Sequence, residues 1–379
     1  MNKIYFGGLN ELRAIAALGV VVHHIEQFKG MNGLKISNPN VSFLINNLGK
    51  SGVDLFFVLS GFLITYLLLQ EKNNNNGHIN IVKFYLRRIF RIWPLYYLIM
   101  VISFIIIPSL SKFSLFENNM SLLNSISNPD NYNFKTIALY LGFLPQFGKV
   151  VIGASQSWSI GIEEQFYLIM PLAITLFRKK AFFILVLLAS LLFFCLTINL
   201  NSIFSIDSKI AYFFRVLRYF NFQSLLIGVV GGYLYFYNVT KISNLTKSKF
   251  GYFSLIILIL FLSTFIVFEN KLNHFILGVL FLILILFTVN NSNKLVFKNN
   301  AMSYLGKISY GIYMYHSFVL FLIFPLANKY FLEKEGNNIQ YNLFLYLTGY
   351  IITILMSIMS YEWFESKFIK FKDLKYKVK

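Results

Sequence analysis

Apolar stretches long enough to cross a bilayer recur along the whole of this 379-residue chain, and that recurrence constrains the fold more than any motif. A helix crossing the hydrocarbon needs about 20 mainly apolar residues, because lipid offers no partner to an open backbone donor or acceptor. Such stretches fall at roughly 9–27, 51–70, 92–110, 158–177, 181–198, 219–237, 251–268, 273–290, 302–326 and 342–361. With 57% hydrophobic and 13% charged residues, and a mean hydropathy of +0.63, the chain lies far outside soluble usage. The expected fold is all-α and integral to the membrane, with about ten transmembrane helices in one bundle. A single domain is expected over 1–379, with an outer loop at roughly 111–157 and a Lys-rich cytoplasmic tail at roughly 362–379.

The net charge of +19 resembles that of a nucleic-acid binder, but in a membrane chain the first question is where Lys and Arg fall relative to the spans. With the N-terminus inside, the cytoplasmic segments hold Lys3, the run Lys72, Lys83, Arg87, Arg88 and Arg91, then Arg178 to Lys180, Lys241, Lys247, Lys249, Lys294, Lys298 and Lys307, and six lysines from Lys367 onward. That majority of the 34 basic residues places both termini in the cytoplasm, and no nucleic-acid partner is expected. The first apolar stretch contains Glu11 and Arg13 and lacks a small-residue cleavage site, so it is expected to stay as helix one. Residues 136–147 are apolar but too short to span, which suggests a re-entrant or interfacial piece inside the outer loop. The single cysteine, Cys195, excludes an intrachain disulfide and reads as a packing residue on its apolar span.

Charged side chains within a bilayer are costly, so they face the bundle interior and have a partner or a function. Helix one carries Arg13 and His24 eleven residues apart; at about 100° and 1.5 Å per residue they share one face, about 16 Å apart, with Arg13 nearer the cytoplasm. His23 points about 100° away. Helix two opens Gly52-Val-Asp-Leu-Phe-Phe-Val-Leu-Ser-Gly, placing Asp54 near the outer face, where it can hold a protonated His24 or set its tautomer. Ser60 and Gly61 read first as small residues for close helix packing, and no Gly-x-Ser-x-Gly elbow supports a hydrolase serine.

Arg88 and Arg91 lie one turn apart at the cytoplasmic start of helix three, with Arg87 beside them. Their fork-shaped donors suit phosphates, although the positive-inside rule places arginines there by default. Gln156-Ser-Trp-Ser-Ile-Gly-Ile-Glu-Glu-Gln-Phe-Tyr takes Trp158 and the adjacent Glu163 and Glu164 into a span; adjacent helical residues diverge, so at most one acid is central to a site. His316 is a further intramembrane imidazole, for which a structural hydrogen bond and a chemical role both stand open.

Taken together, Arg13 with His24, the Asp54 segment, Arg88-Ile-Phe-Arg91, the segment from Trp158 to Tyr167 and Ser309-Tyr-Gly-Ile-Tyr-Met-Tyr-His316 resemble acyltransferase family 3, the membrane-bound O-acyltransferases, over nearly the whole chain and in family order. The resemblance implies transfer of an acyl group, usually acetyl, from cytoplasmic acyl-CoA to a hydroxyl of an envelope carbohydrate or glycolipid. It implies essential roles for Arg13, His24 and Glu163, and CoA phosphates bound by Arg88 and Arg91. The thioester would extend into the bundle past Arg13. His24 would act as general base or accept the acyl group itself. Acetyl-CoA enters as co-substrate, and neither a tightly bound cofactor nor a metal is expected.

Family members often carry an added extracytoplasmic hydrolase-like domain. None is expected past helix ten here, which leaves acceptor modification to the membrane domain or to a partner protein. The outer loop before Trp158 is the candidate for acceptor contact. The expected location is the cytoplasmic membrane of a bacterium, and the Asn-, Ile- and Phe-rich composition points to an AT-rich genome. The rival reading is a transporter or flippase, since buried Arg, His, Asp and Glu also line substrate paths; no inverted repeat is evident. A non-catalytic scaffold leaves the buried charges unexplained. Consumption of acyl-CoA separates the enzyme from both.

Overall fold

The computed structural model describes residues 6–375 except 32–33, 35, 37, 114–115, 117–119, 199–215, 218, 265–269, 291–298 and 332–338. Among the described residues every regular element is helical. Helices stand at all ten positions expected of spans: α1 Leu9–Met31, α2 Pro39–Asn74, α3 Ile81–Val101, α4 Ser157–Leu176, α5 Lys179–Ile198, α6 Gln223–Tyr237, α7 Lys249–Thr264, α8 Asn270–Asn290, α9 Ser309–Phe331 and α10 Ile339–Ser360. Among the described residues five stretches are long and apolar enough to cross a membrane, Val41–Asn74, Ile81–Leu110, Leu272–Asn290, Ser309–Phe331 and Ile339–Lys370; a sixth is reached if α6 and the helix Val239–Leu245, bent by 108°, count as one span. The structure thus supports an all-helical membrane protein with five to six such helices. α1 is not among them, since Glu11, Arg13, His23, His24, Glu26 and Lys29 dilute its apolar face.

Several boundaries differ from expectation. The stretch 302–326 is two helices, Asn300–Lys307 and α9, and near the end of the first Gly306 packs against the Asn10 backbone. Past α10 the chain remains helical through a π-turn, Tyr361–Glu365, and on to Lys375, so the described part of the Lys-rich segment is helical. The 136–147 stretch holds a helix of eight residues, Phe134–Leu141, about 12 Å long and too short to cross. It is pinned by Tyr96, whose hydroxyl donates to the Tyr140 carbonyl at 2.7 Å. The Tyr140 hydroxyl donates to Lys149 O at 3.0 Å and accepts from Val151 N–H at 3.3 Å; burial pushes it up to about 12, so it remains a donor at neutral pH. Cys195, expected to pack, is exposed on a helix whose Leu188 and Leu191 also face outward. In a chain of this composition lipid solvates that surface.

The chain forms two compact units, each discontinuous in sequence: Met1–Ala16, Lys50–Ile81 and Ile162–Gly306 in the first, Ala17–Gly49, Val82–Gly161 and Lys307–Lys379 in the second. The first unit has a core of Leu12, Val58, Phe62, Leu277, Phe281 and Ile285 with their neighbours. There α2 and α6 meet backbone to backbone: a Cβ on Gly61 would strike Leu225 O, one on Gly228 Val58 O, and one on Gly232 Phe62 O. Small residues four apart, as at Gly228 and Gly232, allow such approach where no hydrophobic force drives helices together.

In the second unit α10 reaches α1 and α9 through polar tips. Tyr350 donates to Leu18 O at 2.9 Å, Tyr346 to Glu26 at 2.6 Å and Tyr341 to Asn328 at 2.9 Å. Tyr310 of α9 donates to Ile92 O of α3 at 2.9 Å. Gly49 is small because the His23 ring lies over it.

Candidate functional site

The second unit gathers imidazoles. α1 presents His24 partly buried, with its Nδ1 2.7 Å from Gln27 Oε1 one turn on. An amide oxygen accepts, so Nδ1 carries the proton and Nε2 keeps its lone pair. His316 of α9 is fully buried, its Nδ1 2.6 Å from the carbonyl of Tyr313. A carbonyl can only accept, which assigns the same tautomer. The two rings lie 4.7 Å apart, tilted by 37°. His23, on a different face of α1, has its Nδ1 3.3 Å from Ile45 O. No group of three or more His, Cys, Asp and Glu side chains suited to a metal occurs among the described residues.

The segment that carries Glu163 and Glu164 into α4 begins by fastening α9. Gln156 is 1% exposed, and its Nε2 donates to Gly153 O at 2.9 Å and to Met314 O at 2.7 Å, two residues before His316. Ser159 Oγ lies 2.7 Å from the Tyr313 hydroxyl. Both amide protons of Gln156 are thus spent on carbonyls, one of them beside the buried imidazole. Gln156→Leu should therefore cost about 1–3 kcal/mol, read as a fall in thermal midpoint in detergent. An unchanged midpoint would show these bonds to be idle. One turn below His24, Lys29 Nζ reaches Glu26 at 2.8 and 3.0 Å, and Tyr346 shares that carboxylate.

Two carboxylates of the first unit, Glu163 and Asp54, are each held by side chains of other helices. Glu163 accepts from Ser60 Oγ at 3.1 Å and from the Tyr167 hydroxyl, which also lies 3.4 Å from Ser60. Ser60, a packing residue by its sequence context, is therefore a partner of the acid, while its neighbour Gly61 makes the close approach. Asp54 accepts from Ser224 Oγ at 2.7 Å, and its other oxygen lies 2.9 Å from Nδ1 of His274. Within this unit the imidazole that engages Asp54 is His274, 220 positions away in sequence. Arg13, on α1, is partly buried, as is Glu164 beside Glu163.

On α3, Arg87 and Arg88 are partly buried and Arg91 is exposed. The Arg88 guanidinium lies 5.5 Å over the Phe84 ring, the stacking its planar shape favours. Trp158 sits at the first turn of α4, partly buried. A cavity of about 310 Å³ in the first unit, lined by Lys72, Ile174, Lys179, Phe182, Tyr233 and Phe236 among others, touches none of these expected site residues.

The family profile described as an acyltransferase domain, family 3, matches residues 6–362, across both units. This chain belongs to acyltransferase family 3. A Staphylococcus aureus (strain COL) protein named "Putative O-acetyltransferase" is 27% identical over 389 residues, covering 97% of this chain and 58% of that protein. The S. aureus (strain NCTC 8325 / PS 47) protein named O-acetyltransferase OatA is 26% identical over 381 residues, covering 96% of this chain and 57% of that protein. This chain thus spans less than two thirds of the length of these relatives. No solved structure matches it.

Membership accounts for the order of the motifs, but not for the partners that the fold supplies. Tyr167 could have been found from the sequence, since it lies one turn after Glu163 on the same helix. His274 could not, because nothing in Asn270-Lys-Leu-Asn-His-Phe indicates an acid on another helix. Gln156 sits in a motif that draws the eye to its carboxylates, which hides its role in fastening α9.

Proposed function

We propose that this chain is a membrane-embedded O-acyltransferase that moves an acyl group, acetyl in the first instance, from cytoplasmic acyl-CoA to a hydroxyl of an envelope or exported carbohydrate or glycolipid. The observation that carries the proposal is the state of His24. With Nδ1–H engaged by Gln27, Nε2 is a base of the kind acyl transfer to a hydroxyl requires. Family membership supports the reaction class, and the relatives' names support acetyl as the group moved.

In this reaction the acceptor oxygen bonds to the thioester carbon, the C–S bond breaks, and the hydroxyl proton passes to His24 Nε2 and then to the departing CoA sulfur. Arg13 is assigned to the thioester and Arg88 and Arg91, with Arg87, to the CoA phosphates. Glu163, held by Ser60 and Tyr167, is a carboxylate of fixed orientation for the same chemistry. The proposed setting is the inner membrane of a bacterium, with ten spans and both termini cytoplasmic, supported by the distribution of Lys and Arg.

The test is free CoA release from acetyl-CoA by purified protein in detergent, supplied with mixed envelope glycans. Steady release supports the enzyme; no release from monodisperse protein overturns it. Arg88→Ala and Arg91→Ala should each raise KM for acetyl-CoA about tenfold or more, the loss of a charge-assisted phosphate contact, with kcat changed only a few-fold. A KM that stays at the wild-type value in both variants would remove the phosphate role.

A further inference from the structure

The acyl-transfer reading uses one imidazole, yet the second unit holds another in contact with it. His316 is fully buried, its Nδ1–H is committed to Tyr313 O, and its Nε2 has no hydrogen-bond partner. A buried polar nitrogen left open carries a desolvation cost and calls for an explanation. Its ring is 4.7 Å from that of His24, whose own Nδ1 is committed to Gln27. Each helix therefore ties up the inner nitrogen of its own imidazole, and two Nε2 lone pairs remain on adjacent rings. While both rings are neutral they have no proton to share. Once one gains a proton, the other is an acceptor.

We propose that His316 shares, through its Nε2 lone pair, the proton that His24 takes from the acceptor hydroxyl during acyl transfer. As the acceptor oxygen bonds to the carbonyl carbon and the C–S bond breaks, His24 becomes the imidazolium, with protons on both nitrogens. Gln27 keeps the bond to Nδ1–H, and a small turn of the less buried His24 ring brings its Nε2–H to hydrogen-bond range of His316 Nε2, about 3 Å. The proton then leaves for the CoA sulfur and both imidazoles are neutral again. His316 acts through His24 and is a positioning residue. Two bonds hold its helix in place, from Gln156 to Met314 O and between Ser159 and the Tyr313 hydroxyl.

Other titratable groups near the pair in this unit are His23, 5.0 Å from His24 between ring centroids, Tyr313, and Glu26 with Lys29 and Tyr346. Glu26 and Lys29 neutralise one another, and the Nδ1 of His23 faces Ile45 O. Of the groups around His24, His316 is the imidazole whose Nε2 is buried with no hydrogen-bond partner.

The inference rests on the reading of His24 as base, and the experiment separates the two. The pH dependence of kcat/KM for CoA release is measured for wild type, His316→Leu and His316→Gln, per folded molecule by gel filtration in detergent. Losing the proton acceptor destabilises protonated His24, so its lone pair is free at lower pH. The acid limb should move down by about one pH unit in His316→Leu, with kcat lowered about ten- to a hundredfold. His316→Gln keeps an acceptor oxygen and should hold the limb within a few tenths of wild type. A limb that stays in place in His316→Leu while the rate falls would mean His316 only packs, and would overturn the inference. If His316→Leu does not fold, a His316→Gln limb displaced by a full unit overturns it equally. No CoA release by the wild type, or full release by His24→Ala, would instead overturn the acyl-transfer reading beneath it.

Discussion

Replacing His24 with alanine should lower the rate of acetyl-CoA turnover by about 10²–10⁴-fold, the usual contribution of a positioned general base. The loss should fall on kcat and kcat/KM together, because the proton is taken only as the transition state forms. Folding should survive the change. Alanine is the best helix former, His24 is only partly buried, and its side-chain bond runs within its own helix to Gln27. The measurement is CoA release by monodisperse wild-type and His24→Ala protein at equal concentration. An alanine variant with more than a tenth of wild-type kcat would mean that the base is another group, and His274, held by Asp54, would be the next to replace.

Gly228→Val should be the most damaging single change to stability. A Cβ at Gly228 would overlap Val58 O and press on Phe62 N and Gly61 Cα, all backbone atoms of α2, which cannot rotate away as a side chain can. Overpacking costs typically 1–3 kcal/mol and sometimes more. Here two helix backbones must part, so about 3 kcal/mol or more is expected, seen as loss of the monodisperse peak or a sharp fall in thermal midpoint. Gly19→Ala is the control. A Cβ there meets Leu48 O at 3.6 Å, an ordinary contact, and alanine gains helix propensity of about 1 kcal/mol over glycine. Equal midpoints for Gly228→Val and wild type would refute the close approach of α2 and α6.

The helical class, the membrane setting and the membership in acyltransferase family 3 were all legible from the amino-acid sequence, and each for a local reason. Apolar runs of span length need no partner to declare themselves, since backbone hydrogen bonds within a helix are the solution lipid permits. Arg13 and His24 could be put on one helix face by counting residues. Glu163 and Asp54 stood out because a charge among apolar neighbours is expensive wherever it lies.

Three things depended on contacts between segments far apart in sequence, and only the folded chain decided them. The partner of Asp54 is the first: a carboxylate bonds to whatever donor the packing brings within about 3 Å, and here packing brought Ser224 and His274. The second is the double role of Ser60-Gly61, where Gly61 admits the α6 backbone and Ser60 turns to Glu163. The third is the pairing of His24 with His316, whose open nitrogens follow from two hydrogen bonds made separately, one along α1 and one along α9. Periodicity reports which residues share a face of their own helix; which face of another helix they meet is set by where the backbones can approach, and in this chain glycines and buried side-chain bonds make that choice.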